Sequence, residues 1–216
     1  YAVWAYFRFA LSLRDVEDLL AERGIVVSYE AIRGWVTKFG GKYGRAIRRT
    51  RPSPTDKWHL DEVVIMIRGK KHWLWRGVDS NGDVLDILVQ SRRNTQAAAR
   101  FFRKLFRRFG EPRVIITDKL RSYGAALKTL GPGIEHRQHK GLNNRAEGSH
   151  RPTRKREKIF GRFKSPRHAQ QFLAAHDQIQ TVFRPRRHTL SAISYRHART
   201  DAHAIWDNIT NELKAA

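Results

Sequence analysis

Cysteine is absent from the 216 residues. That excludes disulfides, thiolate zinc sites and thiol nucleophiles, and agrees with a reducing cytoplasm. Long hydrophobic runs are missing as well: nothing approaches the ~18 consecutive apolar residues of a spanning helix. The most apolar strand-like run, "VVIMI", is hemmed in by charge, so membrane insertion is not expected. Acidic residues are scarce, 20 against 43 Lys and Arg, which leaves a formal charge of +23. A field of that sign attracts polyanions, making nucleic acid the first partner to consider and an anionic membrane surface the second. The 40% hydrophobic share supplies an ample core for one full-sized domain and a small second one. No secretory signal is read; the first residue is Tyr1, inside the apolar run "YAVWAYFRFAL", and a truncated N-terminus is expected.

Residues 12 to 39 read as two helices with a short turn. In "SLRDVEDLLAERG", Leu13, Val16, Leu19 and Leu20 share a face, Ser12 can cap the start, and Gly24 suits the left-handed residue that ends a helix. In "SYEAIRGWVTKFGG", Ser28 is the N-cap, Ile32, Trp35, Val36 and Phe39 point inward, and Glu30, Arg33 and Thr37 outward. The spacing is that of a helix-turn-helix, whose second helix enters the major groove, or of an ordinary helical hairpin. The glycines, basic cluster and Pro-Ser-Pro of "GGKYGRAIRRTRPSPTDK" predict a linker. From Trp58 the period changes to that of strands: "WHLDEVVIMIRG", "KHWLWRGVDS" and "VLDILVQSRR" suggest an antiparallel meander. An amphipathic helix ending at Gly110, a buried-type strand "VIIT", a helix "SYGAALKTLG", a weak strand "GIEHRQ" and a helix over 168–184 follow. This order predicts an α/β fold: a ribonuclease-H-like mixed five-stranded sheet flanked by helices and preceded by an all-α helix-turn-helix domain. The expected divisions are 1–39 for that domain, 40–57 for a basic linker, 58–184 for the sheet domain, and 185–216 for a partly helical, peripheral tail.

Most acids sit in turns or on solvated helix faces, but Asp61 and Asp118 do not. Asp61 interrupts an apolar strand, where desolvation demands a compensating charge. Asp118 closes "VIITD" at the carboxyl end of a buried strand, where the loops of α/β sheets carry function. If that strand lies parallel and adjacent to the first, the two carboxylates point at one location and repel unless a cation joins them. Between His136 and Arg156 stand seven Lys or Arg and a single acid, Glu147. Two readings of Glu147 are open: a surface salt bridge, or a third ligand to that cation. Oxygen donors without Cys favour Mg²⁺ or Mn²⁺.

The segments "WHLDEVVIMIRGKKHWLWRGVDSNGDVLDILVQSRR", "RVIITDKLRSYGAA" and "EHRQHKGLNNRAEGSHRPTRKRE", with the preceding helical pair, resemble the transposases of the IS6 family of bacterial insertion sequences. The resemblance covers nearly the whole chain. It implies a catalytic Asp-Asp-Glu set on Asp61, Asp118 and Glu147, which would hold two Mg²⁺ or Mn²⁺ ions. It also implies binding of terminal inverted repeats, strand cleavage and strand transfer into target DNA, replicative transposition through a cointegrate, a homodimer or higher oligomer, and a place in the bacterial cytoplasm at the nucleoid. The family's basic residue seven positions after the Glu falls on Arg154. Two features depart from the pattern: only 28 residues separate Asp118 from Glu147, and Pro152, which has no N–H to donate to the Gly148 carbonyl, predicts a kink or a helix break.

Candidate DNA contacts are Arg33 and Thr37 on the second helix, and Arg145, Arg151, Arg154, Lys155 and Arg156 around Glu147. The basic runs "RFFRKLFRRFG" and "RPTRKREKIFGRFK" can hold phosphates or form solvated helix faces. His136, His139 and His150 are read as hydrogen-bonding or phosphate-contacting residues rather than ligands. Competing classes are a helix-turn-helix regulator or catalytically inactive relic that binds without cutting, and a nuclease acting on hybrids or junctions.

Overall fold

The computed structural model describes residues 1–160, 163–185 and 190–215. In chain order the helices α1 (Ala2–Arg8), α2 (Leu13–Ala21) and α3 (Tyr29–Thr50) precede strands β1 (Lys57–Ile67), β2 (Lys70–Asp79) and β3 (Val84–Gln90). Then come α4 (Thr95–Phe109), β4 (Val114–Thr117), α5 (Arg121–Leu130), β5 (Glu135–Gln138) and a 3-10 turn at Lys140–Asn143. Helices α6 (Asn144–Ser149), α7 (Arg151–Phe160), α8 (Pro166–Val182) and α9 (Ala192–Ala215) complete the chain. Contacts divide it into two compact units, Pro52–Gln170 and Tyr1–Arg51 with Gln171–Ala216.

The first of these is built on one sheet of order β3-β2-β1-β4-β5. Strands β1, β2 and β3 form the expected antiparallel meander, while β4 runs parallel to β1 and β5 parallel to β4. The β1–β2 turn has Arg68 and Gly69 both at positive φ (50° and 77°), the geometry that matches the twist of a two-residue hairpin and that glycine adopts without strain. Asn94 starts α4 by accepting the Ala97 N–H on its side-chain oxygen at 3.0 Å, and Gly110 closes the helix at φ 74°. Between those signals Ala98, Phe101, Phe102 and Leu105 recur at helical spacing, and all four are fully buried with Trp58, Leu60, Trp75 and Tyr123. Burying each large member contributes roughly 1.5–3 kcal/mol. The strand order and the flanking helices make this a ribonuclease-H-like sheet.

In the other unit, Ser12 and Asp15 form a reciprocal capping box (3.0 and 2.7 Å) at the start of α2, and Ser28 caps α3 through the Ala31 N–H. Three expectations need correction. Residues 171–184, expected at the end of the sheet domain, group with this helical unit. Residues 40–50, expected as linker, are the second half of α3. Their glycines are close-packing positions: a Cβ at Gly40 would lie 2.6 Å from the Phe7 ring, and one at Gly44 would lie 3.0 Å from Ala175 Cα. Each glycine costs the helix about 1 kcal/mol of propensity, offset by that close approach. The tail is not peripheral either, because α9 buries Ala202, Trp206 and Ile209, and Trp206 stacks on Tyr43 at 4.0 Å. Residues 186–189 and 216 of the tail, and 161–162 of the basic run, lie outside the described residues.

Candidate active site

The register of the sheet brings the two aspartates together. Leu60 of β1 pairs with Thr117 of β4, so Asp61, within β1, and Asp118, just past the end of β4, each one residue further on, stand side by side. Asp118 is oriented by the turn into α5, its Oδ1 accepting the Leu120 N–H at 3.0 Å. Asp61 is only 9% exposed, and its cross-strand neighbour on β2 is Arg76. Burial, and then the charge of Asp118, push the Asp61 carboxyl up to about 6. Glu147 lies on α6, exposed, with no ion pair among the described residues. All three carboxylates line one open pocket of about 680 Å³, together with Arg93, Lys119, Leu120 and Arg121.

Three long-range hydrogen bonds hold the short helix that carries Glu147. At its start the buried Asn143 amide donates to the Leu60 carbonyl at 2.8 Å, one residue before Asp61. Arg145 donates to the Ser80 carbonyl. At its end Arg76, fully buried, donates to the Ser149 carbonyl and, at 2.6 Å, to the Thr153 hydroxyl. The break between α6 and α7 falls at His150, as Pro152 predicts. It places the buried His150 ring 3.3 Å from Asp61.

A second buried acid adjoins the site. Glu62 accepts the Tyr123 hydroxyl at 2.5 Å and the Arg93 Nε at 2.6 Å, and Arg93 reaches Asp118 at 3.5 Å while lying over the Trp73 ring. Burial raises the Glu62 carboxyl to about 7 against the opposing effects of Tyr123 and Arg93. Sequence reading passed over Glu62, Arg93, Tyr123, Arg76 and Asn143. The signal for Glu62 was available: it stands in the same apolar strand as Asp61.

The remaining candidates divide by exposure. Arg33 and Thr37 share an exposed face of α3, with Arg33 paired to Glu30 at 2.8 Å. Arg145, Arg151, Arg154 and Lys155 are exposed, Arg154 paired to Glu157 at 2.8 Å. Arg156 is corrected: at 1% exposure it lies on the inward face of α7 with Thr153, one turn away, and no phosphate can reach it. His136 bonds Thr117 and Gln138, at 2.9 and 3.1 Å, as expected of a structural histidine.

Among the described residues no three carboxylates or imidazoles stand close enough together to hold one ion. The donor set still fits hard divalent cations. It offers carboxylate oxygens only, and Asp61 is buried beside a second negative charge that a cation would neutralise. Asp61 and Glu62 keep protons in the folded chain at pH values where the unfolded chain, near 3.8 and 4.5, has released them. Folding then binds protons, and stability falls as pH rises. In chelator the free energy of unfolding is expected to fall between about pH 4 and pH 7, by on the order of several kcal/mol, and the melting temperature with it; added Mg²⁺ is expected to flatten the profile. Thermal melts across that range with and without the ion measure it.

The family model DDE_Tnp_IS240, a DDE domain, matches residues 55–186. The chain is 29% identical over 199 residues to the transposase for insertion sequence-like element IS431mec of Staphylococcus aureus strain Mu50, covering 90% of this chain and 88% of that one. It has the same identity and coverage with the S. aureus transposase for insertion sequence element IS257 in transposon Tn4003. Among solved structures, the catalytic core domain of BIV integrase covers 70% of this chain at 16% identity, with a TM-score of 0.42. That likeness is loose, and the fold assignment stands on strand order. With the family match spanning more than half its length, this chain belongs to the DDE-type transposases of the IS6 family of bacterial insertion sequences.

Proposed function

We propose that this transposase binds the terminal inverted repeats of its element, cuts a strand at each end and joins the freed 3′ end to target DNA, with Asp61, Asp118 and Glu147 holding two Mg²⁺ or Mn²⁺ ions. The observation that carries this reading is the convergence on one pocket of two aspartates from adjacent parallel strands and a glutamate that has no ion pair among the described residues. When bound, such ions activate the attacking oxygen and stabilise the leaving oxygen of an in-line displacement. The chain's own part is positioning and charge. Asp118 is held by its turn, and Glu147 by the Asn143, Arg145 and Arg76 bonds. Arg93, Lys119 and Arg121 line the pocket with positive charge suited to a phosphodiester. Arg151, Arg154 and Lys155, exposed beside Glu147, continue it. Arg33 and Thr37 on α3 are the candidates for reading the repeat.

A homodimer or higher oligomer brings two ends together, and the joined product is a cointegrate; both follow from the family resemblance. No described helix is long and apolar enough to cross a membrane, and a cytoplasmic place at the nucleoid is part of the same reading. The test is a labelled duplex ending in the element's terminal repeat, incubated with Mg²⁺, with Mn²⁺ or with chelator. Nicking and joining that need the ion and the repeat sequence are expected. Repeat-specific binding without cutting in either ion would make the protein a DNA-binding relic.

A further inference from the structure

Helix α4 and the edge strand β3 border a groove of about 1040 Å³ that the reading above does not use. Within α4 stand Arg100, Arg103, Lys104, Arg107 and Arg108, and no acid. Two of them hold the fold: Lys104 contacts the buried Asp86 at 3.0 Å and the Ile87 carbonyl at 2.6 Å, and Arg108 contacts Asp86 at 3.4 Å. Arg100, Arg103 and Arg107 are exposed, lie along one stripe and make no ion pair among the described residues. A face kept only for solubility interleaves both signs. Like charges three and four residues apart instead cost the helix tenths of a kcal/mol each. Arg92 lines this groove, and its chain neighbour Arg93 lines the carboxylate pocket.

We propose that this groove holds the phosphate backbone of duplex DNA continuing from the carboxylate pocket, through Arg92, Arg100, Arg103 and Arg107, without reading bases. The inference rests on the DNA-processing reading above. Two other occupants fit less well. A peptide strand would need the free edge of β3, but the Val89 N–H donates to Gln170 at 2.8 Å and the Ile87 carbonyl accepts from Lys104 and Gln170. A second copy across a two-fold axis would set one arginine stripe against another. Duplex DNA matches in sign: each strand carries one negative charge per ~3.4 Å of duplex axis, and the arginine stripe from Arg100 to Arg107 presents three positive charges along ~10 Å of helix.

The test compares the full chain with a variant carrying Arg100→Gln, Arg103→Gln and Arg107→Gln together. Glutamine keeps helix propensity, and a thermal melt checks the fold. Affinity for a short blunt duplex of arbitrary sequence is measured over a range of KCl concentrations, with cleavage of the repeat-ended duplex followed in parallel. The slope of log affinity against log salt is expected to shallow by roughly 2 to 3, about 0.9 for each phosphate that is no longer neutralised. The Arg→Lys triple variant is expected to recover it. An unchanged slope overturns the proposal, and so does a changed oligomeric state in sedimentation with the slope kept, which would assign the face to contact between copies. If the unaltered chain cuts while the Gln variant keeps its slope, the groove inference fails and the transposase reading stands. If the unaltered chain binds without cutting and the variant's slope shallows, the groove stands and the catalytic reading fails. A chain that binds no duplex overturns both.

Discussion

Glu147→Gln is expected to bind a terminal-repeat duplex as tightly as the unaltered chain and to cut it at least about a thousand-fold more slowly. The separation of the two effects is the informative part. Glu147 is exposed on α6 and makes no ion pair among the described residues, so removing its charge breaks no contact that holds the fold. Surface changes of that kind stay within about 0.5 kcal/mol. A slow but fully folded variant therefore points to a missing metal ligand. Asp61→Asn supplies a contrast, because Asp61 is buried beside Asp118 and pushed up to about 6. Removing its charge relieves that repulsion, so the variant is expected to melt higher than the unaltered chain in chelator at neutral pH and still to cut no DNA. Cleavage time courses in Mg²⁺, paired with melts in chelator, measure both. If Glu147→Gln cuts at the unaltered rate, Glu147 is a surface acid and the triad is wrong.

Arg76→Met is expected to lower stability by about 2–4 kcal/mol and to slow cleavage even where the protein remains folded. Arg76 is fully buried on β2, next to Asp61, and its guanidinium holds both the end of α6 and the start of α7. Methionine fills the volume but leaves the Ser149 carbonyl and the Thr153 hydroxyl without that donor. The helix carrying Glu147 then loses one of its three anchors. Arg76→Lys is expected to rescue little, since one ammonium cannot reproduce a planar fork that meets two acceptors. Denaturant midpoints, cleavage rates and amide exchange over residues 144–149 report the loss. Unchanged exchange there, with an unchanged rate, would show that Asn143 and Arg145 suffice to place Glu147.

The sheet was legible because its signals are local. Period-two alternation marked three strands, Gly110 marked the end of α4, and Pro152 marked the break after α6. Asp61 and Asp118 stood out because a carboxylate in an apolar strand needs a partner. The same reasoning, applied evenly, would have drawn out Glu62 and Asp86, both buried and both answered by basic residues distant in sequence. Where local signals misled, a distant neighbour had reversed their meaning. Glycine punctuates a chain in isolation, yet Gly40 and Gly44 sit inside α3 because Phe7 and Ala175 approach it there. Arg156 reads as one more cation in a basic run, but the turn of α7 carries it inward to 1% exposure.

The sequence by itself thus determined the succession of strands and helices in the sheet unit, the polyanion-seeking charge and the family, because periodicity, capping, composition and motif are properties of neighbouring residues. Only the tertiary structure decided that Asp61 and Asp118 stand side by side on adjacent strands, that Asn143, Arg145 and Arg76 pin the helix of Glu147, and that the α4 arginines face an open groove. Each of these depends on which distant segment a side chain meets, and that is settled when the core closes and buried polar groups must find partners.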